Sequence, residues 1–554
     1  MTDTYALGID FGTQSARGVL VNIRTGEELG DCLYTYPDGV IDRKLPGTDV
    51  KLPPDFALQN PSDYRTALDT VLHDTWRSAG VDPASVVAIG LDFTACTIFP
   101  VDENMVPLCE KPQWRDNPHS WVKLWKHHGA QAQAKHIEEV MKKRQEPLLG
   151  LYGGKVLSEW YFPKLLELYQ KAPEVYHGAY KIVHAMDWVN YLMTGTLATG
   201  ASTSGFHCFW TKAFGWPDKE LLEEFAPGFG SILDGKILTD VLPVTSQMGT
   251  LSAEMAKKSG LTPGIPVCCP MVDSHAGLPA IGVTEDGDML ISLGTSLCHI
   301  LINRKGVPMD GICGVTDGCT YPDFYSYEAG QTAGGDIFEW FVKNLVDAKA
   351  SAAAEQAGLS VFAYLTEKAE ALRPGESGLL ALDWWNGNRS PLASADLSGL
   401  IMGMTLNTRP EEIYRALVEA TAFGTRSIVE NFERNGVAVG KMIACGGMSR
   451  KSPLLMQIFS DVLGRPLEVA DRTQAAACGV AMHAMVALGK ERGGYDTLEE
   501  AIAALARPAR RVYEPNTENH KIYTELFAMY SRLVDFFGRE NPQLMAQLKR
   551  MKEG

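Results

Sequence analysis

The chain has 554 residues, 45% of them hydrophobic and 21% charged, the balance of a globular protein too long for one ordinary core. Its formal charge of −16 argues against a nucleic-acid partner, because phosphate backbones are held by a basic face. The start Met1-Thr2-Asp3-Thr4 is no signal peptide, no apolar run is long enough to span a membrane, and the eleven cysteines lack C-x-x-C spacing, so reduced thiols in a cytoplasmic protein are expected.

Tyr5 to Asp10 reads as a first strand, Gly18 to Ile23 as a second, and Thr25-Gly26 as the turn into a third. Asp10 ends the first strand, where a carboxylate can hold hydrated Mg²⁺, an ion that keeps several waters and takes few protein ligands. Gly12-Thr13 follows, offering main-chain donors and a hydroxyl to a phosphate. A plain hairpin with an aspartate at its mouth is the competing reading of so short a motif. Asn60 then starts a helix in which Tyr64, Leu68, Val71, Leu72 and Trp76 make one buried stripe. Val86 to Leu91 is apolar throughout, as in a central strand covered on both faces, and delivers Asp92-Phe93-Thr94-Ala95-Cys96-Thr97 at its end.

Residues 112–128 mix three tryptophans with Arg115, Asp116 and three histidines. That set suits a sugar, or else it is core tryptophan under a solvated rim. Helical pieces are expected around 158–166 and 187–194, the second stopped by Gly195, while Ala201 to Trp210 reads as a loop or a turn into a strand. The apolar run Val267 to Val272 then delivers Asp273-Ser274-His275, a lone carboxylate at a strand end and the candidate general base. Met289 to Leu293 delivers Gly294-Thr295-Ser296, a second Gly-Thr hairpin that echoes the first and suggests a duplicated fold. Gly334-Gly335 leaves room for a ligand at the start of an amphipathic helix. Thr408-Arg409-Pro410-Glu411 reads as a capping box that opens a long helix. Lys441 to Cys445 reads as a strand ending in Gly446-Gly447, which can seat an adenine or ribose, or be only a turn.

Asp10-Phe11-Gly12-Thr13-Gln14-Ser15, Asp273, Gly294-Thr295-Ser296, Gly335 and Gly446-Gly447 stand in the order and rough spacing of the FGGY carbohydrate kinases, and the chain resembles that family over nearly its whole length. It is most similar to the bacterial branch that acts on L-ribulose, through Asp92 to Thr97, Asp116 to Ser120, Tyr327 to Gln331 and Asp383 to Ser390. The resemblance implies an α/β fold of two actin-like (ribonuclease-H-like) domains with an interdomain cleft. Residues 1–280 would carry the sugar site and base, and residues 281–554 the nucleotide site. It further implies ATP-dependent phosphorylation of L-ribulose to L-ribulose 5-phosphate in arabinose breakdown, with ATP and Mg²⁺ as cofactors, a ketopentose as partner and a homodimer as candidate assembly.

Carried over by position, Asp273 would be the base and Asp10 would hold the Mg²⁺ shell. Thr13, Gly294 and Thr295 would face the phosphates, and Gly335, Gly446 and Gly447 would line the nucleotide. Ala95, His207, Asp273 and Glu328 would line the sugar. Three positions depart from the family pattern. His207 replaces a lysine with an imidazole that is ordinarily neutral near pH 7, Gln14 replaces an acid, and Ser452 replaces an asparagine beside the adenine. The alternatives are another FGGY kinase acting on D-ribulose, xylulose or ribitol, and an actin-like ATPase with no sugar acceptor. No P-loop or dinucleotide-binding glycine motif occurs.

Overall fold

The computed structural model describes residues 3–507 and 509–553. The first alternating segments pair as an antiparallel meander of β1 (Tyr5–Phe11), β2 (Ser15–Asn22) and β3 (Glu28–Thr35). Helix α1 (Pro61–Ser78) packs its buried stripe on β2 and β3, and the Asn60 side chain caps it by accepting from the Ser62 N–H. The apolar β4 (Val86–Phe93) returns parallel to β1. Residues 201–205, expected as loop or turn, instead form a short buried helix, α2 (Ala201–Gly205). Its small side chains allow that close packing, and the Ser202 hydroxyl accepts from the Val272 N–H at 3.0 Å. Strands β5 (Pro266–Cys268) and β6 (Met271–Val272) then run parallel to β4 and lead directly into α3 (Asp273–Ala276). The strand order is β5-β4-β1-β2-β3, with Gln247–Thr250 antiparallel outside β5.

The second half repeats this plan. Strands β7 (Met289–Leu293), β8 (Leu297–Asn303) and β9 (Tyr325–Gln331) form the meander, and α4 (Gly335–Asn344) follows it. After the long α5 (Pro410–Arg434), β10 (Met442–Cys445) returns parallel to β7. Helix α6 (Pro453–Leu463) leads to β11 (Leu467–Val469), parallel to β10, so the order β9-β8-β7-β10-β11 matches the first sheet. The start of α5 lies one residue later than Thr408 to Glu411 suggested. Pro410 takes the first helical position, where its missing N–H is no loss, so Arg409 becomes the cap and donates its N–H to the Glu412 carboxylate at 2.7 Å.

One more helix, α7 (Ala475–Leu488), joins the two sheets. It is apolar on nearly every face and lies in a core shared by Ala6, Val19 and Ala88 of the first sheet and Leu290, Ile300 and Ile443 of the second. Its approach to the first sheet is close enough to require glycine. A Cβ on Gly8 would sit 1.8 Å from the Ala477 carbonyl oxygen, and where α7 meets α3 one on Gly479 would sit 1.7 Å from that of Ala276. The segment between β4 and β5 adds a separate aromatic-rich core around Trp160, Phe162 and Phe209. Among the described residues no helix is long and apolar enough to cross a membrane.

Candidate functional site

Three aspartates meet where the first sheet ends. The parallel register sets Asp10 of β1 opposite Asp92 of β4, and Met271, two residues before Asp273, also pairs with Asp92. Asp92 is fully buried, and its oxygens find no partner other than the neighbouring Asp10 carboxyl. Burial, and after it Asp10 and Asp273, raise its pKa well above the usual carboxylate range. Burial also raises Asp10, although contacts with Asp92 and Arg17 oppose the shift. Asp273 is pushed up to about 7 by burial and then by the charge of Asp10, while its Oδ1 accepts from the Ser274 N–H at 2.7 Å. Of the three only Asp10 feels a counter-charge, that of Arg17, so the crowded carboxylates hold protons or a cation. The carboxyl oxygens of Asp92 and of the less buried Asp10 are hard donors of the kind Mg²⁺ takes in small number. The residues present therefore fit that ion.

A wall beside Asp273 starts at Ala95, which packs partly exposed on the core of Phe93, Phe206 and Val272. His275, on the same short helix, points its Nε2 at Glu328 Oε2 of β9 from 3.2 Å. His207 Nε2 lies 3.5 Å from the same oxygen, with its ring stacked on Trp160. Burial alone would neutralise Glu328, yet His207, His275 and Arg389 hold its carboxyl down to about 2. In return, and against the effect of burial, Glu328 raises the His207 pKa above the ordinary imidazole value. The imidazole expected to be neutral therefore has its pKa shifted upward, with Glu328 as the cause, at the position where the family pattern has a lysine. Cys96, His207 and Phe209 all adopt left-handed backbone conformations, at φ 48°, 62° and 62°, which is uncommon outside glycine and frequent at binding sites. Arg389 Nη2 reaches across to Glu159 at 3.4 Å and so ties the second half of the chain to the first.

Each Gly-Thr turn is closed by the N–H of its glycine, over three residues in the first and two in the second. Gly12 N–H donates to the Ser15 carbonyl at 2.9 Å, and Gly294 N–H to that of Ser296 at 3.1 Å. Thr13 is fixed from two sides: its Oγ1 accepts from Trp125 Nε1 at 3.0 Å, and its carbonyl from Gln59 Nε2 at 2.7 Å. The Thr295 carbonyl receives the Gly334 N–H at 2.8 Å, and the Gly294 carbonyl the Gly335 N–H at 3.0 Å, which seats the start of α4 on the turn. Gly446 holds φ 97°, and a Cβ there would lie 2.5 Å from the Leu293 carbonyl oxygen, whereas a Cβ on Gly447 would meet nothing. Gly294, Thr295, Gly335 and Gly446 therefore cluster at the ends of β7 and β10, with Gly447 opening outward.

The structure also separates some residues that the sequence placed together. Trp114 packs on Gly178, and Asp116 stands in solvent. His119 and His127 face a buried Lys123–Glu167 pair, with Nζ to Oε2 at 2.7 Å. Ser452 caps α6 by accepting from the Leu455 N–H. Asp92, His275, Arg389 and Trp125 were not singled out as site residues. For Asp92 a signal existed: Asp10-Phe11 and Asp92-Phe93 are the same dipeptide at two strand ends, and the two phenylalanine rings stack 5.1 Å apart.

Comparison with known proteins places this geometry in context. The FGGY family of carbohydrate kinases matches through its N-terminal domain at residues 5–279 and its C-terminal domain at residues 289–488. The chain is 47% identical over 552 residues to a ribulokinase of Halalkalibacterium halodurans, covering 100% of this chain and 98% of that one. It is 45% identical over 553 residues to a ribulokinase of Geobacillus thermodenitrificans, with 100% and 98% covered. Among solved structures, the xylulose kinase from Rhodospirillum rubrum shares the fold with a TM-score of 0.78 at 21% identity, over 96% of this chain and 99% of that one.

Proposed function

The chain belongs to the FGGY family of carbohydrate kinases, and from that premise we propose that it transfers the γ-phosphoryl group of ATP to the terminal hydroxyl of L-ribulose, giving L-ribulose 5-phosphate. The ribulokinase relatives, similar along the full chain, support the choice of ribulose. The observation that carries the chemistry is Asp273, a carboxylate poised near neutral pH between the Asp10–Asp92 pair and the Glu328 wall.

In this reading Asp273 takes the hydroxyl proton as that oxygen attacks the γ-phosphorus, and the bridging bond to ADP breaks. A base whose pKa lies near the working pH balances basicity against occupancy of its charged form. Asp10 and Asp92 would hold Mg²⁺, which when bound supplies charge neutralisation to the phosphates. Thr13 and Thr295 offer donors to the phosphate chain above the turn that Gly294 closes, and Gly447, where a Cβ would meet nothing, opens onto the nucleoside space beside the tight backbone contacts of Gly335 and Gly446. Ala95, His207 and Glu328 shape the sugar pocket, and the His207 ring offers an N–H to a sugar oxygen in place of the family lysine. The reaction belongs in the cytoplasm, where ATP is supplied.

ADP release measured against L-ribulose, D-ribulose, xylulose, ribitol and glycerol tests the proposal. L-ribulose should give the highest kcat/KM; a pentitol or glycerol ahead of every ketopentose would overturn the substrate assignment. Light scattering on the same preparation decides between a single chain and a homodimer.

A further inference from the structure

Cys96 and Cys208 sit directly behind the sugar wall, each one residue along from a wall residue: Cys96 follows Ala95, and Cys208 follows His207. Their sulfurs are 3.8 Å apart and both side chains are buried, whereas Ala95 and His207 in front of them are partly exposed. The other contacts of Cys208 Sγ are the carbonyls of Thr203 and Phe206, at 3.3 and 3.2 Å, and His184 Nε2 at 3.9 Å. We propose that Cys96 and Cys208 form a peroxide-sensitive thiol pair whose oxidation to a disulfide closes the sugar site.

The surroundings divide the two roles. Burial opposes a thiolate at Cys96, but the Cys208 S–H, His207 and Lys164 together hold its pKa below the ordinary thiol value, while burial and Cys96 push Cys208 up. The thiol whose pKa cationic neighbours lower is the nucleophilic member of such a pair. The Cys96 sulfur attacks one oxygen of hydrogen peroxide and the O–O bond breaks. The departing hydroxide takes up a proton to become water, which leaves a sulfenic acid on Cys96. The Cys208 sulfur then attacks that sulfur, the S–O bond breaks, and the Cys208 proton leaves with the hydroxide as a second water. Two thiols and one peroxide give one disulfide and two waters.

Bond formation requires the sulfurs to close from 3.8 Å to about 2.05 Å. That contraction draws the backbones of residues 95–96 and 207–208 together and displaces Ala95 and His207, and a misplacement of about 1 Å in a reacting complex costs on the order of 10²-fold in rate. The loss of turnover rests on the sugar-site reading given above; formation of the bond does not. In the experiment, full-length enzyme is treated with hydrogen peroxide, quenched with catalase, unfolded, alkylated and mapped by mass spectrometry, with sugar kinetics and ATP-analogue binding measured in parallel.

The expected result is a Cys96–Cys208 cross-linked peptide and a fall of roughly 10²-fold in kcat/KM for the sugar. ATP-analogue affinity should stay unchanged, and dithiothreitol should restore turnover. Cys208→Ala should escape the reversible loss, and Cys208→Ser serves if the alanine variant is unstable. Both cysteines remaining alkylatable after peroxide would overturn the pair itself. A cross-link that forms while sugar turnover is untouched would leave the pair standing and overturn the placement of Ala95 and His207 at the sugar.

Discussion

Replacing Asp273 with asparagine should remove activity and add stability at once. As a general base the carboxylate contributes about 10²–10⁴-fold, so kcat should fall by that factor while ATP-analogue affinity holds. The stability gain follows from the raised pKa. Asp273 titrates at about 7 in the folded protein, against about 3.9 in an unfolded chain, and one unit is worth about 1.36 kcal/mol. Because the folded pKa is the higher one, the native state binds the proton more tightly. The penalty is therefore absent below about pH 4, grows between about pH 4 and 7, and is constant above. Its ceiling is about 4 kcal/mol, reduced because the side chain retains some contact with solvent. Denaturant unfolding without metal should show Asp273→Asn more stable than the parent near pH 8, with a smaller gain near pH 5. An asparagine variant that is less stable near pH 8, or one whose ATP affinity drops with its turnover, would refute the reasoning by making Asp273 a structural residue.

Other outcomes follow from the same geometry. The parent enzyme's kcat/KM for sugar should rise with pH through about 7 as Asp273 loses its proton, and a flat profile between about pH 5.5 and 8 would count against it as base. Glu328→Gln strips the carboxylate that His207 and His275 share. A lost charge-assisted hydrogen bond is worth about 1.5–3 kcal/mol, so KM for the sugar should rise roughly 10- to 100-fold with KM for ATP little changed. Gly8→Ala forces a Cβ toward the Ala477 carbonyl oxygen, from which it would lie 1.8 Å. Overpacking of that kind costs about 1–3 kcal/mol, to be read as a lower denaturation midpoint, and an unchanged midpoint would show that α7 shifts freely against the first sheet.

How much of this was legible in the sequence depended on the range of the interaction. The hairpins after Asp10 and Leu293 are local, written in apolar runs broken by Gly-Thr, and they fold where the pattern puts them. Asp273 was legible for the same reason, as a polar residue ending an apolar run. Asp92 was quoted at its strand end but not assigned, because its role arises from a parallel register that brings it beside Asp10. Arg389 and Glu159 meet across 230 positions of chain, a pairing that no local pattern encodes. Helix α7 is apolar all round and so had no periodic face to announce that it lies between two sheets. The upward shift of the His207 pKa is likewise a tertiary property, set by Glu328 on a strand far along the chain.

The most direct test of the central claim is the identity of the phosphorylated product. Enzyme, ATP, Mg²⁺ and L-ribulose are incubated together, and the mixture is followed by phosphorus and carbon magnetic resonance. The account predicts a phosphate ester on the terminal carbon of the ketose, formed in step with ADP. Inorganic phosphate released at the same rate with and without sugar would contradict it and would make the cleft that of an ATPase without an acceptor.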